Sequence, residues 1–443
     1  MAKKKQIELT IEEKLRNALV PKEEQLYKIP SNWCWTYIHN IAIVVTGKTP
    51  SKKNKEYYGG KFPFFKPADL DAGRNMQYAT EYLSEKGKSI SVIIPEKSTG
   101  ICCIGTIGKC GYFLVEGTTN QQINTVISKI NPLYSYYFFN TNSFVRELIS
   151  KASATTIAIV NKSKLESCLF PVAPLNEQQR IVNRIESLFV KLDRAKELIE
   201  NTLAQFEQNK MAILHKAFTG ELTAKWRKEN NIDLSSWKKC ELKEVFKVVK
   251  DKYNPQTENQ IVNYIGLENI ETSKGIISKN NSSEVKSIKT KFKKDDVLYG
   301  KLRPYLNKHD VVNFDGICST DILVFRFNDI NTAKYINYYF NLPMFIQYAV
   351  ENSSGINLPR VSEKTISKYK ISLPTIEEQQ EIVNILDKLL AKYNKIKNLE
   401  QQLEKIELLK KAILAKAFRG ELGTNNPDEE SAENLLKEIL AEK

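Results

Sequence analysis

The chain contains one long segment twice. The first copy lies in residues 170–222, with Glu177-Gln178-Gln179 near its start and Ala217-Phe218 near its end. The second copy lies in residues 371–422, where the triplet recurs 201 residues later and the pair 200 residues later. Two copies are too few for a solenoid, so the repeat indicates a chain built twice from one plan.

Each copy predicts one long amphipathic helix. The helices follow Pro174 and Pro374 and stop at Gly220 and Gly420, which suits proline before a helix and glycine after it. Apolar residues recur in alternating steps of four and three, the heptad pattern of a coiled-coil seam. The predicted seam residues are Ile181, Ile185, Leu188, Leu192, Ile199, Phe206 and Ile213 in the first copy, and Ile382, Leu386, Leu389, Tyr393, Ile396, Leu403, Ile406 and Ile413 in the second. The second copy has one residue fewer, which should shift its seam near 396–399.

The blocks before the two helices predict two globular domains. Both carry short β-rich runs broken by Gly, Asn and Pro, followed by helix-like aromatic segments. We therefore predict an α+β fold, in which two mixed domains are joined by two long antiparallel helices that form a coiled coil with a pseudo-twofold repeat. The expected divisions are an N-terminal helical segment at 1–28 packing near the C terminus, a domain at 29–170, helix and linker at 171–234, a domain at 235–370, helix at 371–422 and an acidic tail at 423–443. We expect the tail to be a short solvated helix that packs near the N terminus.

The positive charge divides between the two globular blocks. The chain has a formal net charge of +14. Residues 29–170 hold 16 basic and 9 acidic side chains, and residues 235–370 hold 22 and 15, so each block has an excess of seven. A polyanion held by two domains explains this division. Charge that serves solubility alone has no reason to divide in this way.

Metal, membrane and catalytic sites find little support in the sequence. Cys102, Cys103 and Cys110 cluster without a nearby histidine, whereas zinc sites need spaced ligand pairs, so we expect reduced core thiols. The apolar stretches are too short to span a bilayer, and no secretory signal is visible, which predicts a cytoplasmic protein. Asp295-Asp296 lacks the carboxylate spacing of a nuclease. We predict no metal, no cofactor and no catalytic activity on this chain alone.

Two short segments of the first domain are candidates for contact with a polyanion. Gly47-Lys48-Thr49 fits a relaxed phosphate-loop pattern, but Pro50 and a polar run follow instead of a helix. A strand-end loop whose Lys48, Lys52 and Lys53 meet DNA phosphates is the favoured interpretation. In 105–111 the glycines suit tight turns, and Lys109 is either a phosphate contact or simply exposed. The amides of Asn120, Gln121 and Gln122 either read bases or satisfy turn backbone.

A mixed strip in the second domain has the chemistry of base reading. Its members are Lys301, Arg303, Tyr305, Asn307 and Lys308. Arginine pairs with guanine and asparagine with adenine in the major groove, while lysine holds phosphate. The alternative is that the apolar residues between them pack inward and the polar side chains are only solvated.

These motifs together resemble the specificity (S) subunit of type I restriction–modification systems. The resemblance covers nearly the whole chain. It rests on KPADL at 66–70 (which adds Lys66 to the candidate DNA contacts), GTIGKCG at 105–111, TNQQIN at 119–124, YIGLENI at 264–270, DVLYGKLRPYLNK at 296–308, CSTD at 318–321 and the two long repeat segments.

The resemblance implies a function in DNA recognition. Two target-recognition domains would each read half of a split, asymmetric site on double-stranded DNA. The helices would set the gap between the halves and dock two adenine-methylating subunits, which carry S-adenosylmethionine. Restriction subunits that use ATP and Mg²⁺ would join this core. The alternatives are a stand-alone nuclease and a coiled-coil scaffold without a role on DNA.

Overall fold

The chain divides into two compact units. Unit 1 combines the residues up to Leu198 with those from Gln401 onward, and unit 2 is the continuous segment Ile199–Glu400. The computed structural model describes residues 9–153, 158–258, 260–272, 274–394 and 397–442, with backbone alone at 284, 390, 392–394, 397 and 398. The two predicted globular domains lie inside these units, one in each.

Unit 1 mixes short helices with short strands. Its elements up to the first long helix are α1 (Ile11–Ala18), β1 (Cys34–Tyr37), α2 (Ile38–Ile41), β2 (Ala42–Thr46), β3 (Tyr58–Phe65), β4 (Glu81–Leu83), α3 (Glu85–Ser89), β5 (Thr99–Cys102), β6 (Cys110–Tyr112), β7 (Thr118–Thr119), β8 (Ile123–Ser128), α4 (Pro132–Phe139), α5 (Asn142–Ser150), α6 (Lys162–Glu166) and β9 (Leu169–Val172). The first long helix is α7 (Leu175–Thr219).

The strands of unit 1 form a four-stranded sheet, a three-stranded sheet and a two-stranded pair. The four-stranded sheet has the order β2-β8-β5-β6 and is antiparallel throughout. The three-stranded sheet has the order β4-β3-β7, and β1 pairs with β9. Aromatic residues of α4 lie in the core of unit 1. The helix begins at Pro132 because the side chain of Asn131 caps it and proline is favoured at the first helical position. Tyr134, Phe138 and Phe139 are fully buried.

Unit 2 repeats the order of a strand-rich part followed by short helices, a last strand and a long helix, with more strands than unit 1. Its elements are α8 (Ala224–Glu229), β10 (Lys238–Glu241), β11 (Phe246–Val248), β12 (Lys252–Tyr253), β13 (Asn263–Ile265), β14 (Ile270–Glu271), β15 (Gly275–Ile276), β16 (Asn280–Asn281), β17 (Lys289–Phe292), β18 (Val297–Gly300), β19 (His309–Val311), β20 (Gly316–Cys318), β21 (Ile322–Phe327), α9 (Ile330–Tyr339), α10 (Pro343–Glu351), α11 (Glu363–Ser367), β22 (Lys370–Leu373) and α12 (Ile376–Asn394). The last helices of the chain are α13 (Lys397–Ala417) and α14 (Ala432–Ala441).

The sheets show that the two globular blocks are copies. The sheet β11-β21-β18-β19 repeats the order and the antiparallel pairing of β2-β8-β5-β6. The pair β10-β22 repeats β1-β9, and the parallel pairing of β13 with β20 repeats that of β3 with β7. In both copies the last strand before a long helix pairs with the first strand of its block. The predicted α+β class and the internal repeat are confirmed in the fold.

The first long helix runs where the sequence predicts. It has 45 residues and is followed by Gly220 at φ +85°, the left-handed conformation that commonly ends a helix. Among its seam positions, Ile181 and Ile185 are buried. The other five seam residues are half-buried: Leu188, Leu192, Ile199, Phe206 and Ile213. Val190, which lies off this stripe, is exposed.

The second long helix is described as two segments, α12 and α13. Ile382, Leu386 and Ile406 are buried, and Leu389, Leu403 and Ile413 are half-buried. Ile396 and the side chain of Tyr393 lie outside the described residues, as does most of the predicted shift at 396–399. Within unit 1, Lys410 and Lys196 reach Asp193 (2.5 Å) and Glu407 (3.4 Å). The residue number increases along α7, from Asp193 to Lys196, while that of the partner on α13 decreases, from Lys410 to Glu407. These two segments are therefore antiparallel.

The C-terminal segment differs from the expected solvated helix. Leu436, Ile439 and Leu440 of α14 are buried. They pack in the core of unit 1, and Lys437 pairs with Glu12 of α1 at 2.9 Å. The helix α14 is amphipathic. Its apolar side chains face the core of unit 1, and its acidic side chains lie on the opposite, outer face. The expectation of a solvated helix was wrong for this inner face.

Candidate nucleic-acid interface

The repeated Glu-Gln-Gln triplet has a structural role in unit 1. Glu177 is fully buried, and its carboxylate accepts the indole N–H of Trp33 at 2.8 Å and the amide of Asn425 at 2.9 Å. The amide of Gln178 donates to the carbonyl of Ala173 at 2.8 Å. The triplet thus holds the start of α7 against the first strand and the C-terminal segment. We name this arrangement the Glu177 lock.

Unit 2 contains the corresponding arrangement around Glu378, which we name the Glu378 lock. Glu378 is fully buried and accepts the indole N–H of Trp237 at 2.9 Å. Thr223 donates to the same carboxylate at 2.6 Å, and the guanidinium of Arg227 lies at 2.5 Å. The amide of Gln379 donates to the carbonyl of Pro374 at 2.8 Å. Each lock therefore joins the start of one long helix to a block's first strand and to the chain that follows the other helix.

The repeated Ala-Phe pairs fill matching positions in the two cores. Phe418, just after α13, packs on Tyr134 of unit 1 with ring centroids 5.0 Å apart. Phe218, near the end of α7, packs on Tyr335 of unit 2 at 5.1 Å. Each unit is thus built from the start of one long helix and the end of the other. This frame fixes the globular blocks and leaves their loops at the surface.

The Lys48 loop lies where the sequence predicts, at the end of a strand. β2 ends at Thr46, and a turn follows instead of a helix, so the phosphate-loop geometry is not present. A side chain at Gly47 would meet the Thr119 hydroxyl at 2.2 Å, so only glycine allows this close approach. Thr49 donates to Gln121 at 2.5 Å, which joins this loop to the loop before β8.

The joined loops present cations to solvent. Four side chains of these loops are exposed: Lys48, Lys52, Lys53 and Gln121. Among the described residues, none of the ion pairs involves these lysines. The loop pair therefore forms a basic surface, which we name the unit 1 loop surface.

Other candidates in unit 1 are engaged within the protein. Lys66 pairs with Glu81 at 2.6 Å, and Lys109 pairs with Asp71 at 2.7 Å. Asn120 is buried, and its amide donates to the half-buried Gln122 at 2.9 Å. Of the two readings left open for these amides, the backbone-satisfying one describes Asn120, whose carbonyl accepts the backbone N–H of Gln122 at 3.1 Å.

The strip at 301–308 in unit 2 divides between surface and core. Arg303 and Tyr305 are exposed, and Arg303 has φ +52°, an unfavourable conformation for a residue with a side chain. Lys301 is half-buried, and the ammonium of Lys308 donates to the carbonyl of Leu267 at 2.7 Å. Only part of the strip can therefore meet a ligand.

Asn307 faces the interior of unit 2. It is buried, and its amide lies 3.1 Å from Nε2 of His309, whose Nδ1 lies 2.7 Å from Oδ1 of Asn337. Burial lowers the pKa of His309 to about 4, so the imidazole is neutral and accepts from Asn307. The buried position removes Asn307 from the candidate base-reading residues.

The sequence reasoning missed a surface loop of unit 2 between α10 and α11. Ser354 and Arg360 close this loop with two backbone hydrogen bonds, of 2.9 and 2.8 Å. Arg303 donates its backbone N–H to Pro359 at 2.7 Å, which ties the loop to the 301–308 strip. Arg360 is exposed and pairs with Asp321 at 3.1 Å. The sequence signal that could have revealed this loop is an arginine, Arg360, shortly after a turn that contains Gly355.

Asp296 and the cysteine thiols are buried inside the protein. Asp296 is buried and receives two hydrogen bonds from Arg326, at 2.8 and 2.7 Å. All seven cysteines are buried thiols without disulfides, and burial raises the pKa of Cys103 to about 11. Within the described ranges there is no group of three or more His, Cys, Asp or Glu side chains arranged to hold a metal ion. In the same part of the chain, no helix is both long and apolar enough to span a bilayer.

Both copies match one known protein family. The family model described as "Type I restriction modification DNA specificity domain" matches residues 30–207 and again 235–408. The EcoDI specificity subunit of a type I restriction enzyme from Escherichia coli is 24% identical, with 94% of this chain and 96% of that protein covered. The EcoKI specificity subunit from Escherichia coli K12 is 26% identical, with the same coverage, 94% and 96%.

Solved structures share the fold. A chain from a study of assembly and conformational transition of a type I restriction–modification system has a TM-score of 0.68 and 17% identity, and covers 89% of this chain and 100% of its own length. The HsdS subunit from Thermoanaerobacter tengcongensis has a TM-score of 0.55 and 18% identity, with 89% and 99% covered.

Proposed function

Because this chain belongs to the family of type I restriction–modification DNA specificity domains, we propose that it is the DNA sequence-recognition subunit of a type I restriction–modification complex. Each globular block reads one half of a bipartite, asymmetric site on double-stranded DNA. The chain has no catalytic role of its own. It directs adenine-N6 methylation and restriction by subunits that bind to it.

The duplication is the observation that carries this proposal. One four-stranded sheet order and one buried Trp–Glu lock occur twice, and the family model matches both copies. Each copy brings an excess of seven positive charges in its globular block. Two basic domains on a duplicated frame suit two separate stretches of one polyanion. A nuclease has no such requirement, and a scaffold without a role on DNA has no use for the charge.

The partners follow from the same proposal. The two long helices dock two methyltransferase subunits, which bring S-adenosylmethionine. Restriction subunits that use ATP and Mg²⁺ join this core in the cytoplasm. In unit 1 the loop surface contacts DNA phosphates, and in unit 2 the exposed Arg303 and Tyr305 contact DNA.

Methylation mapping tests the proposal. The chain is co-expressed with its methyltransferase subunits in a host without adenine methylation, and modified adenines are mapped by single-molecule sequencing. We expect one bipartite motif with a fixed gap, absent when the chain is omitted. Methylation that is independent of the chain, or a motif without a gap, contradicts the proposal.

The spacing role has its own test. One heptad is inserted at matched positions in both long helices, near 203 and 403. We expect the gap of the methylated motif to lengthen while both half-site sequences stay the same, because a heptad extends a helix by about 10 Å without rotating its seam. A change in the half-site bases themselves contradicts the spacer role. A strongly salt-dependent DNA affinity of the chain excludes a scaffold without a role on DNA.

A further inference from the structure

Two loops of unit 2 meet to form one exposed ridge. The loop from Lys301 to Leu306 carries Arg303 and Tyr305, and the loop from Ser354 to Arg360 carries Ile356. Backbone hydrogen bonds from Arg303 to Pro359 (2.7 Å) and from Val361 to Lys301 (3.0 Å) join the two loops. We name this surface the unit 2 ridge.

Ile356 forms the tip of the ridge. Its side chain is 100% exposed, more than any other large apolar residue of the described chain, and Leu358 beside it is also exposed. The paired backbone hydrogen bonds between Ser354 and Arg360 hold the loop closed beneath it. Gly355 has φ +102°, so only glycine makes this turn without strain. The isoleucine is therefore held away from the surface by an ordered loop.

The ridge also carries cations. Arg303 is exposed in a left-handed backbone conformation, which residues at ligand-binding sites adopt more often than others. Arg360 is oriented by Asp321, which accepts from its Nε at 3.1 Å. Tyr305 adds an exposed ring. An apolar tip on a ridge with an exposed arginine matches the major groove of DNA, where a thymine presents its 5-methyl group beside hydrogen-bonding base edges and phosphates.

We propose that the unit 2 ridge enters the major groove and that Ile356 contacts the 5-methyl group of a thymine in one half-site, with Arg303 on a neighbouring base edge or phosphate. This inference rests on the proposed function and adds a specificity-determining residue to it. A fully exposed side chain makes no contact that supports the fold. Replacing it therefore changes recognition without unfolding unit 2.

The motif of a variant complex is the first test. Ile356→Ser is compared with the wild-type complex and with Ile261→Ser, a matched control at another exposed isoleucine of unit 2 outside both loops. We expect Ile356→Ser to relax the preference for one T·A pair in one half-site and to leave the other half-site unchanged. Arg303→Ala should affect the same half-site, and Ile261→Ser should leave the motif intact.

A base analogue tests the methyl contact itself. Deoxyuridine replaces each thymine of the half-site in turn, which removes only the 5-methyl group. Wild-type binding should weaken by about fourfold at one position, as expected for one buried methyl group. Binding by Ile356→Ser should show no further loss there.

The outcomes separate the two proposals. A wild-type complex without a bipartite motif contradicts the proposed function. A normal wild-type motif combined with an unchanged motif and unchanged deoxyuridine sensitivity in Ile356→Ser overturns the ridge alone. Failure of Ile356→Ser to assemble with the methyltransferase subunits also overturns it, since the tip would then contact protein.

Discussion

The two locks keep the same contact but neutralise their buried carboxylates differently. Glu378 in unit 2 pairs with Arg227, whose side chain is 9% exposed, at 2.5 Å. Among the described residues, the hydrogen-bond donors to Glu177 in unit 1 are neutral groups of Trp33, Asn425 and Thr424. The arginine of unit 1 is Arg180, which binds Glu429 through two hydrogen bonds of 2.7 Å. The glutamate is thus fixed by its indole partner, while the position of the cation differs between the copies.

The same buried glutamate can therefore have the same hydrogen-bond geometry in both units but a different free-energy cost when its surroundings are changed. A buried ion pair is costly to break from one side, because the remaining charge stays buried without compensation. A half-exposed pair costs little to break, since water replaces the missing partner. The two units should therefore respond unequally to the same kind of substitution.

Removal of the cation should give the largest contrast. Arg227→Met should lower the free energy of unfolding of unit 2 by about 3–5 kcal/mol, because Glu378 remains buried and charged. Arg180→Met should cost about 1 kcal/mol or less in unit 1, because its side chain is 39% exposed. Denaturant unfolding followed by hydrogen exchange assigns each loss to its unit. Glu378→Gln added to Arg227→Met should recover part of the loss; equal losses in both units would contradict the contrast.

The basic loops should differ in their contribution to DNA binding. Changing Lys48, Lys52 and Lys53 together to alanine should weaken binding by roughly 10- to 100-fold and lower the salt slope by about 2–3. The matched control is Lys250→Ala with Lys252→Ala, because Lys250 pairs with Glu363 at 3.2 Å and Lys252 donates to Thr290 at 3.1 Å. Binding measured across salt concentrations checks both. An equal loss in the control would show that lysines with a partner in the protein contribute as much as the lysines of the unit 1 loop surface.

Acid should affect unit 2 more than unit 1. The folded-state pKa of His309 is lowered to about 4 by burial, so the unfolded state takes up a proton first as pH falls. The stability from neutral His309 is complete above about pH 6.5 and is lost between there and pH 4, by about 2 kcal/mol at pH 5. Cys110 occupies the matching position in unit 1, where no such proton uptake exists.

The comparison at pH 7 and pH 5 uses His309→Gln as its control. Burial raises the pKa of the neighbouring Asp310, which works in the opposite direction, so the variant isolates the histidine. We expect the difference between the two pH values to shrink in the variant. Hydrogen exchange in unit 2 that shows the same acid loss with glutamine at this position would remove His309 as the cause.

The indole contacts should give the smallest and most closely matched effects. Trp33→Phe should destabilise unit 1 by about 2 kcal/mol, because Glu177 loses a donor and, among the described residues, no cation donates a hydrogen bond to it. Trp237→Phe should cost about 1 kcal/mol in unit 2, where Arg227 still pairs with Glu378 and Thr223 still donates a hydrogen bond to it. Unfolding of the two single variants measures both values. A larger loss for Trp237→Phe would reverse the proposed order.

Much of the frame was readable from the sequence because it depends on periodicity. Heptad steps and terminal glycines predicted α7 within a residue of its ends, and the repeat predicted the shared topology. The locks were not predicted, although their partners recur at almost the same spacing: Trp33 and Trp237 with Glu177 and Glu378. Matching both pairs across the repeat would have suggested the contact.

The candidate interface was only partly predictable, since exposure depends on tertiary packing. Asn307 and Arg303 stand four residues apart in one polar strip, yet Asn307 is buried beside His309 and Arg303 is exposed. A turn with left-handed residues at both places produces this division, and strip composition does not reveal it. Ile356 was missed for the opposite reason: a lone isoleucine normally indicates core.

Unit 1 is made of two separate segments of the chain, which affects the order of folding during translation. Unit 2 is one continuous segment and can close as soon as it has been made. The aromatic core of unit 1 waits for Leu414, Ala417 and Phe418, which emerge about 220 residues after Leu198. At ordinary translation speeds this delay is roughly 10–40 s. The second half of the chain therefore matures before the first, and an apolar cleft stays open to chaperones in the meantime.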